Sequence, residues 1–274
     1  MNQQEKIAIF SDIHGNSLAL QAVLEDIERQ GCSEIFFLGD LVNGIDLHTC
    51  IKIIRSLDHI TCLKGNAEFY VLTPDLENFP KKNDPLYSKL IPLLQWFKSR
   101  LSEDDRAWLQ NLPDYVIRNG ACFVHDSPLD RLSLQGGVLP DNDEKYHELE
   151  FHSQGITSEM SAANWESLCN WMESQSVSQV FCGHTHRPFY RRLDAKLICN
   201  VGSVGMPLDG DPRPAWAMLE NHPGQESLVT IRRVTYELER MLQMVDDLSD
   251  YPDFKANAGK EDYKKNLVTG SFHL

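Results

Sequence analysis

The alternation of short apolar runs with helical patterns in the first 63 residues constrains the fold most strongly. Three runs have the length and β-branched content of buried strands: residues 6–10, 34–38 and 60–63. Two helical patterns separate them, at residues 17–30, where Gly31 is a stop signal, and at about residues 47–57. Strands that alternate with helices in this order predict an α/β fold with a largely parallel sheet and helices on its faces.

The segment at residues 69–112 predicts a mainly helical insertion. We expect Pro92 in the first turn of a helix that reaches about Arg100, because proline fits the first helical position. Ser102, with Asp105 three residues later, predicts a capping box at the start of a second helix.

The second half of the chain predicts mostly strands. Residues 115–124 predict a hairpin, because Asn119-Gly120 tolerates the positive φ angles of a type I′ turn. A buried strand at residues 179–182 and short β segments over residues 189–234 follow.

No internal repeat or linker divides the chain. We predict one domain over residues 1–248, with a polar loop at residues 128–159 and an amphipathic last helix at residues 236–248. The polar tail, residues 249–274, stays unassigned.

Composition and charge exclude several classes of protein. No apolar run reaches the ~18 residues of a membrane span, and the N-terminus lacks the layout of a signal peptide, so a cytoplasmic location is expected. The seven cysteines are irregularly spaced, which argues against a disulfide framework or a thiolate zinc site. A net charge of −14 makes a nucleic acid polymer an unexpected partner, whereas bound cations would reconcile this charge with a phosphate substrate.

Five short segments place metal-type ligands directly after predicted strands. They are Asp12-Ile-His14, Gly39-Asp40, Gly65-Asn66, His125 and Gly183-His184-Thr185-His186. Each segment alone has an ordinary explanation as a turn, a helix N-cap region or a hydrogen-bonded histidine. Because open α/β folds gather the carboxyl ends of their strands in one crevice, the five together predict a metal site. Imidazole, carboxylate and amide oxygen without thiolate suit Mn, Fe, Zn or Ni.

The order and spacing of these segments resemble the calcineurin-like metallophosphoesterases. Residues 200–205 and 209–213 further resemble the small bacterial phosphodiesterase branch of that family. The resemblance implies a two-sheet β-sandwich flanked by helices, with two divalent metal ions. One ion would be held by Asp12, His14, Asp40 and His186, and the other by Asp40, Asn66, His125 and His184, with Asp40 bridging.

The function implied by the resemblance is hydrolysis of a small phosphate ester, a diester rather than a monoester. By this resemblance, two cations would clamp the phosphate and lower the pKa of a bridging water towards 7, and the resulting hydroxide would attack phosphorus in line with the leaving oxygen. Asp40, Asn66, Lys64 and Glu68 are the candidate catalytic residues.

Ala67 departs from the family pattern, which usually has a histidine after the asparagine as the leaving-group acid. Glu68, His147 or His152 would then supply the proton, or the substrate has a good leaving group, or catalysis has been lost. Lys64 stands where an arginine is often found and could contact phosphate as a point charge. Three arginines are weaker candidates for phosphate binding, since each is more often a surface residue: Arg131, Arg187 and Arg213.

Two alternatives to the enzyme stay open. The chain could be a non-catalytic metal-binding scaffold of the same fold, although all seven ligand positions hold metal-competent side chains. It could also be a protein phosphatase, with a substrate groove lined by the insertion at residues 69–112. The sequence determines neither the physiological substrate, nor the native metals, nor the oligomeric state.

Overall fold

The computed structural model describes residues 5–73, 85–129, 155–222, 224–249 and 259–271. Ten strands of this part form two five-stranded mixed sheets. Their bounds are β1 Glu5–Phe10, β2 Glu34–Phe37, β3 Ile60–Cys62, β4 Tyr115–Arg118, β5 Ala121–Val124, β6 Gln179–Cys182, β7 Phe189–Leu193, β8 Lys196–Asn200, β9 Ala215–Asn221 and β10 Leu228–Arg233.

Each sheet contains three neighbouring parallel strands and two antiparallel additions. The first sheet has the order β10-β9-β1-β2-β3, in which β1, β2 and β3 are parallel. The second has the order β4-β5-β6-β8-β7, in which β5, β6 and β8 are parallel. The two mixed sheets with flanking helices confirm the predicted fold class.

Aromatic side chains fill the space between the sheets. Phe36 of β2 stacks on Phe123 of β5 with ring centroids 3.7 Å apart, and Phe123 stacks on Phe181 of β6 at 5.4 Å. All three rings are almost completely buried, so they join the sheets through the apolar area they remove from water.

Helices cover the outer faces of the sandwich. The described helices are α1 Ser17–Gln30, α2 Leu47–Ser56, α3 Asn66–Leu72, α4 Pro85–Ser99, α5 Glu103–Gln110, α6 Ala162–Ser174, α7 Leu238–Asp247 and α8 Lys260–Thr269. The first five pack on the first sheet, α6 packs on the second, and α7 and α8 pack together beside α1.

Two local turn predictions are confirmed. Asn119 and Gly120 join β4 to β5 with φ angles of 52° and 75°. The hydroxyl of Ser102 accepts from the Asp105 N–H, and the Asp105 carboxylate accepts from the Ser102 N–H, which completes the capping box of α5.

The predicted position of Pro92 is wrong. Pro85 occupies the first position of α4, and Pro92 lies inside the helix. Proline inside a helix removes one backbone hydrogen bond. Leu94 and Phe97 follow it and pack into the core, and this burial outweighs the lost bond.

The unassigned tail contains one helix, α8. Leu267 of α8 is buried against Met241 and Val245 of α7. The predicted loop lies mostly outside the described residues, as do Arg131, His147 and His152. The domain boundary at residue 248 stays a prediction.

Candidate metal centre

The predicted ligands lie together at one edge of the sandwich, because the carboxyl ends of the parallel strands of both sheets meet there. Backbone hydrogen bonds hold the loops that follow these strands against each other. The Asp12 N–H donates to the Gly39 carbonyl at 2.9 Å, and the Gly183 N–H donates to the His125 carbonyl at 2.8 Å. The loops therefore have fixed positions before any side chain is considered.

Asp12, His14 and His186 form the first group of ligand atoms. Nε2 of His14 lies 3.0 Å from Nε2 of His186, and Oδ1 of Asp12 lies 3.2 Å from Nε2 of His186. Oδ2 of Asp40 lies 3.7 Å from Nε2 of His14. These four side chains are the ones that the family resemblance assigned to one ion.

Hydrogen bonds to backbone carbonyls determine which nitrogen of each ring carries the proton. Nδ1 of His14 lies 3.2 Å from the Val42 carbonyl, and Nδ1 of His186 lies 2.6 Å from the Met206 carbonyl. A carbonyl oxygen only accepts, so both Nδ1 atoms are protonated and both neutral rings present the lone pair of Nε2. Two lone pairs 3.0 Å apart repel each other unless a cation lies between them.

Asn66, His125 and His184 form the second group. Oδ1 of Asn66 lies 2.9 Å from Nε2 of His125 and 2.8 Å from Nδ1 of His184. Nδ1 of His125 donates to the Leu38 carbonyl at 3.1 Å, so His125 also presents Nε2 to the centre.

Asp40 lies between the two groups. Its Oδ2 faces His14, whereas its Oδ1 lies 3.4 Å from Nε2 of His125 and accepts the Ala67 N–H at 2.8 Å. A carboxylate that presents one oxygen to each side can bridge two cations.

Backbone strain is concentrated at the centre. Five of the seven predicted ligands have φ angles between 44° and 68°: Asp12, His14, Asp40, His184 and His186. Such angles cost of order 1–3 kcal/mol each for residues other than glycine, and they persist where the surrounding structure over-determines them. These backbone angles thus lower the stability of the protein while they direct the five side chains towards the centre.

Burial and the neighbouring charges shift the pKa values of the first group. Burial opposes ionisation of Asp12, but attraction to His186 outweighs it and holds the pKa of Asp12 below its ordinary value. Burial, together with the neighbouring His186, lowers the pKa of His14 to about 4. Burial also works against protonation of His186, but Asp12 and Asp40, with the hydrogen bond to the Met206 carbonyl, together outweigh it and raise the pKa of His186.

The pKa of Asp40 is also lowered. Burial works against its charged form, but His125 and His14 outweigh this and keep the pKa of Asp40 well below its usual range. Asp40 is therefore held as a carboxylate and not as a carboxylic acid.

A buried oxygen of Asp12 has no hydrogen-bond partner among the described residues, which provides a test of whether an ion fits the centre. Oδ1 of Asp12 is shielded from solvent and accepts no hydrogen bond, although Nε2 of His186 is near. Leaving a buried carboxylate oxygen unpaired is costly, and a cation would remove that cost. The donor set of carboxylate, imidazole and amide oxygen suits a divalent transition metal.

Lys64 and Glu68, the other predicted catalytic residues, face different surroundings. Nζ of Lys64 donates to the Gln110 carbonyl at the end of α5, at 2.9 Å. Glu68 is completely buried, and its oxygens accept backbone N–H groups. That it donates a proton to the leaving group stays a prediction. The Ala67 side chain is buried in the core beneath the helices.

Ser203 and Asn200 position the ligand loops, and the sequence prediction did not assign them this role. The Ser203 hydroxyl donates to the Asp12 carbonyl at 2.8 Å and accepts from the Met206 N–H. Nδ2 of Asn200 donates to the Gly183 carbonyl at 2.7 Å. The motif at residues 200–205 contains both residues, but in the sequence it indicated only a resemblance to a family branch and not this positioning role.

The surrounding arginines are already bonded to protein atoms. Nε of Arg187 donates to the Leu208 carbonyl at 3.1 Å, and Arg213 pairs with Asp211. None of the helices in the described part of the chain combines the length and apolar character needed to cross a bilayer.

Comparison with known proteins identifies the family of this chain. The family model described as "Calcineurin-like phosphoesterase superfamily domain" matches residues 6–222. An uncharacterized protein of Methanocaldococcus jannaschii is 26% identical over 262 residues, which cover 87% of this chain and 91% of that protein.

Two crystal structures share the fold over almost the whole chain. A metallophosphoesterase from Sphaerobacter thermophilus superposes with a TM-score of 0.68 and 24% identity, covering 98% of this chain and 100% of that one. A hypothetical protein from Pyrococcus horikoshii gives 0.70 and 18%, covering 98% and 99%.

Proposed function

The chain belongs to the calcineurin-like phosphoesterase superfamily, and we propose that it hydrolyses a small phosphodiester with two divalent metal ions. Asp12, His14, Asp40 and His186 would hold one ion. The other would be held by Asp40, Asn66, His125 and His184. Mn, Fe, Zn and Ni are all compatible with these donors.

The contact between Nε2 of His14 and Nε2 of His186 carries this proposal. Both rings donate from Nδ1 to a carbonyl, so two lone pairs meet at 3.0 Å beside the unpaired Oδ1 of Asp12. A proton on Nε2 of His186 would leave one of the other two acceptor atoms unpaired, whereas a divalent cation would satisfy all three at once. Metal-binding histidines commonly donate their second nitrogen to a carbonyl in this manner.

The ions would supply an activated water nucleophile near neutral pH and charge stabilisation on the phosphoryl oxygens. The protein's own residues supply fixed positions. The carbonyls of Val42, Leu38 and Met206 orient the imidazoles, and the Ala67 N–H orients the Asp40 carboxylate. Groups held in this way need no reorganisation during the reaction.

The surrounding charges favour a diester over a monoester. A monoester carries close to two negative charges at neutral pH, whereas a diester carries one. Lys64, Arg187 and Arg213 already donate to protein acceptors, and the net charge of the chain is −14. With Ala67 in place of an acid, a leaving group that departs without protonation suits the site best.

Hydrolysis of bis(p-nitrophenyl) phosphate and p-nitrophenyl phosphate tests the proposal. The metal-stripped protein is assayed alone and after Mn²⁺, Ni²⁺, Zn²⁺ or Fe²⁺ is added back singly. We expect metal to restore turnover, with the diester cleaved faster than the monoester. Asp40→Ala should abolish it, whereas Asp58→Asn, on an exposed turn, should match the wild type.

No turnover of either ester, with two ions bound per chain, would refute the enzyme and favour the non-catalytic scaffold. Faster cleavage of the monoester would refute the diester preference alone. Cleavage of phosphopeptides but not of diesters would indicate a protein phosphatase. Residence in the cytoplasm and a small-molecule partner stay parts of this proposal.

A further inference from the structure

Glu68 is a buried acid within the metal centre that binds no ion in the proposed arrangement. It is fully shielded from solvent. In the described part of the chain it pairs with no lysine or arginine. A buried carboxylate without a cation is rare, because removing its charge from water is costly unless hydrogen bonds replace the water.

Four backbone N–H groups surround the carboxylate. Oε2 accepts from Asp40 at 2.9 Å and from Gly65 at 2.7 Å. Oε1 accepts from Leu41 at 2.7 Å and from Val42 at 3.1 Å. Three of the donors are consecutive, and Asp40 has a φ of 61°, so residues 40–42 form a concave anion-binding turn that Glu68 fills.

Two glycines allow the loops to approach closely enough for these bonds. A Cβ on Gly39 would lie 2.4 Å from the Gly65 nitrogen, and a Cβ on Gly65 would lie 2.1 Å from Oδ1 of Asp40. The two backbones are therefore in contact with no side chain between them.

These four hydrogen bonds connect Glu68 to the segments that carry or orient three of the proposed ligands. Asp40 is itself one of the donors, and Asn66 begins the helix that carries Glu68. The carbonyl of Val42, whose N–H binds Glu68, accepts from Nδ1 of His14. A shift of residues 40–42 would displace Asp40 and release the ring of His14.

We propose that Glu68 is a positioning residue that holds the loops of Asp40, Asn66 and His14 in the metal-binding arrangement before any ion binds. This inference rests on the proposed metal site, but it assigns Glu68 no proton transfer. Glu68→Gln is a sharp test because each oxygen accepts two N–H groups. Whichever way the amide turns, its NH₂ faces two donors, which lose their acceptor.

The first measurement is site-resolved hydrogen exchange on the metal-free wild-type protein. In the described structure, Glu68 is the acceptor for the Leu41 and Val42 N–H groups. We expect both amides to exchange slowly, and about 100-fold faster or more in Glu68→Gln. Glu166→Gln, the same change on an exposed position of α6, should leave them unchanged. Exchange of these amides in the wild type at the rate of an open loop would overturn the proposal, even if the variant does not fold.

The second measurement is calorimetric titration with Mn²⁺. Loss of a group that orients ligands weakens metal binding about 10- to 100-fold, so Kd should rise by that factor in Glu68→Gln and not in Glu166→Gln. Ester turnover at saturating Mn²⁺ should return to within a few-fold of the wild type. An unchanged Kd with turnover about 10²- to 10⁴-fold lower at saturating metal would instead identify Glu68 as a general acid. If the wild type cleaves no ester, the proposed function fails, while exchange and titration still decide the role of Glu68.

Discussion

Charged residues are exposed to solvent at one end of the sandwich and buried at the other. At the far end, where β1 and β2 begin, Glu5, Glu34 and Arg118 line a cavity of about 240 Å³ that opens to solvent. Arg118 pairs with Glu34 there, and half of the Arg118 side chain is exposed. The opposite end carries the candidate metal centre and is called the ligand end. There, Asp12 and Asp40 are almost completely buried.

Water stabilises the charges at the far end, whereas the protein must do so at the ligand end. There, backbone N–H groups, oriented imidazoles and, in our proposal, metal ions replace the solvent. Exposed ion pairs contribute little to stability, but a buried charge that loses its partners costs several kcal/mol. Equivalent substitutions should therefore have very different effects at the two ends.

The largest difference is expected between two glycines. Gly65, at the ligand end, has an ordinary φ of −98°, but an added Cβ would lie 2.4 Å from the Asp40 nitrogen. Gly65→Ala should cost about 3 kcal/mol or more, because a rigid backbone has to move. It should also abolish Mn²⁺ binding by calorimetry.

Gly120, in the far-end hairpin, is the matched control. Its φ of 75° strains any other residue, but an added Cβ would meet only Ser178 Oγ, at 3.5 Å. Gly120→Ala should cost about 1–2 kcal/mol by urea denaturation and leave Mn²⁺ binding unchanged. Equal losses of metal binding in both variants would remove the contrast between the ends.

A smaller effect is expected from loading the centre with metal. An ion that binds only the folded chain adds about 2.7 kcal/mol of stability at a free concentration 100-fold above Kd. The Tm should rise with Mn²⁺ and fall again with a chelator. Asp12→Asn should remove this rise, since it takes away a charged ligand oxygen, whereas the exposed Asp58→Asn should keep it. A full Tm rise in Asp12→Asn would place the ion elsewhere.

The smallest effect is expected at the far-end ion pair. Glu34→Gln removes the charge that pairs with Arg118 and should cost less than about 1 kcal/mol, because the pair is partly exposed to solvent. Metal-dependent turnover should be unchanged. A tenfold fall in turnover would show that the two ends are coupled through the sheets.

Local patterns predicted much of the fold. The bounds predicted for α1 and β6 are those of the structure, because both elements have clear periodicity and a clear stop signal. The position of Pro92 was wrong because packing of the residues after it overrides a local preference. The helix α8 stayed unassigned, since its polar sequence has little amphipathic pattern and its docking depends on contacts with α7.

The sequence predicted which residues would come together at the candidate site, but not which groups each of them contacts. Ligand-type residues after strands can be recognised in one chain, and their order resembles a family. Glu68 was one of three candidates for supplying the leaving-group proton, with His147 and His152. The four N–H groups that donate to it lie between 3 and 28 residues away in sequence. No local pattern distinguishes an acid that fills a turn of backbone N–H groups from one that faces the solvent-accessible side of a site.

The sequence by itself determined the alternation of strands and helices, the chemical types of the ligands and their positions at strand ends. These follow from periodicity and from donor chemistry, which act over a few residues. Only the tertiary structure decided which nitrogen of each imidazole faces inward and which acid accepts the backbone N–H groups of the loops. Those choices depend on hydrogen bonds of about 3 Å between residues as far apart as His125 and Leu38, separated by 87 positions. Such contacts exist only after the two sheets have packed.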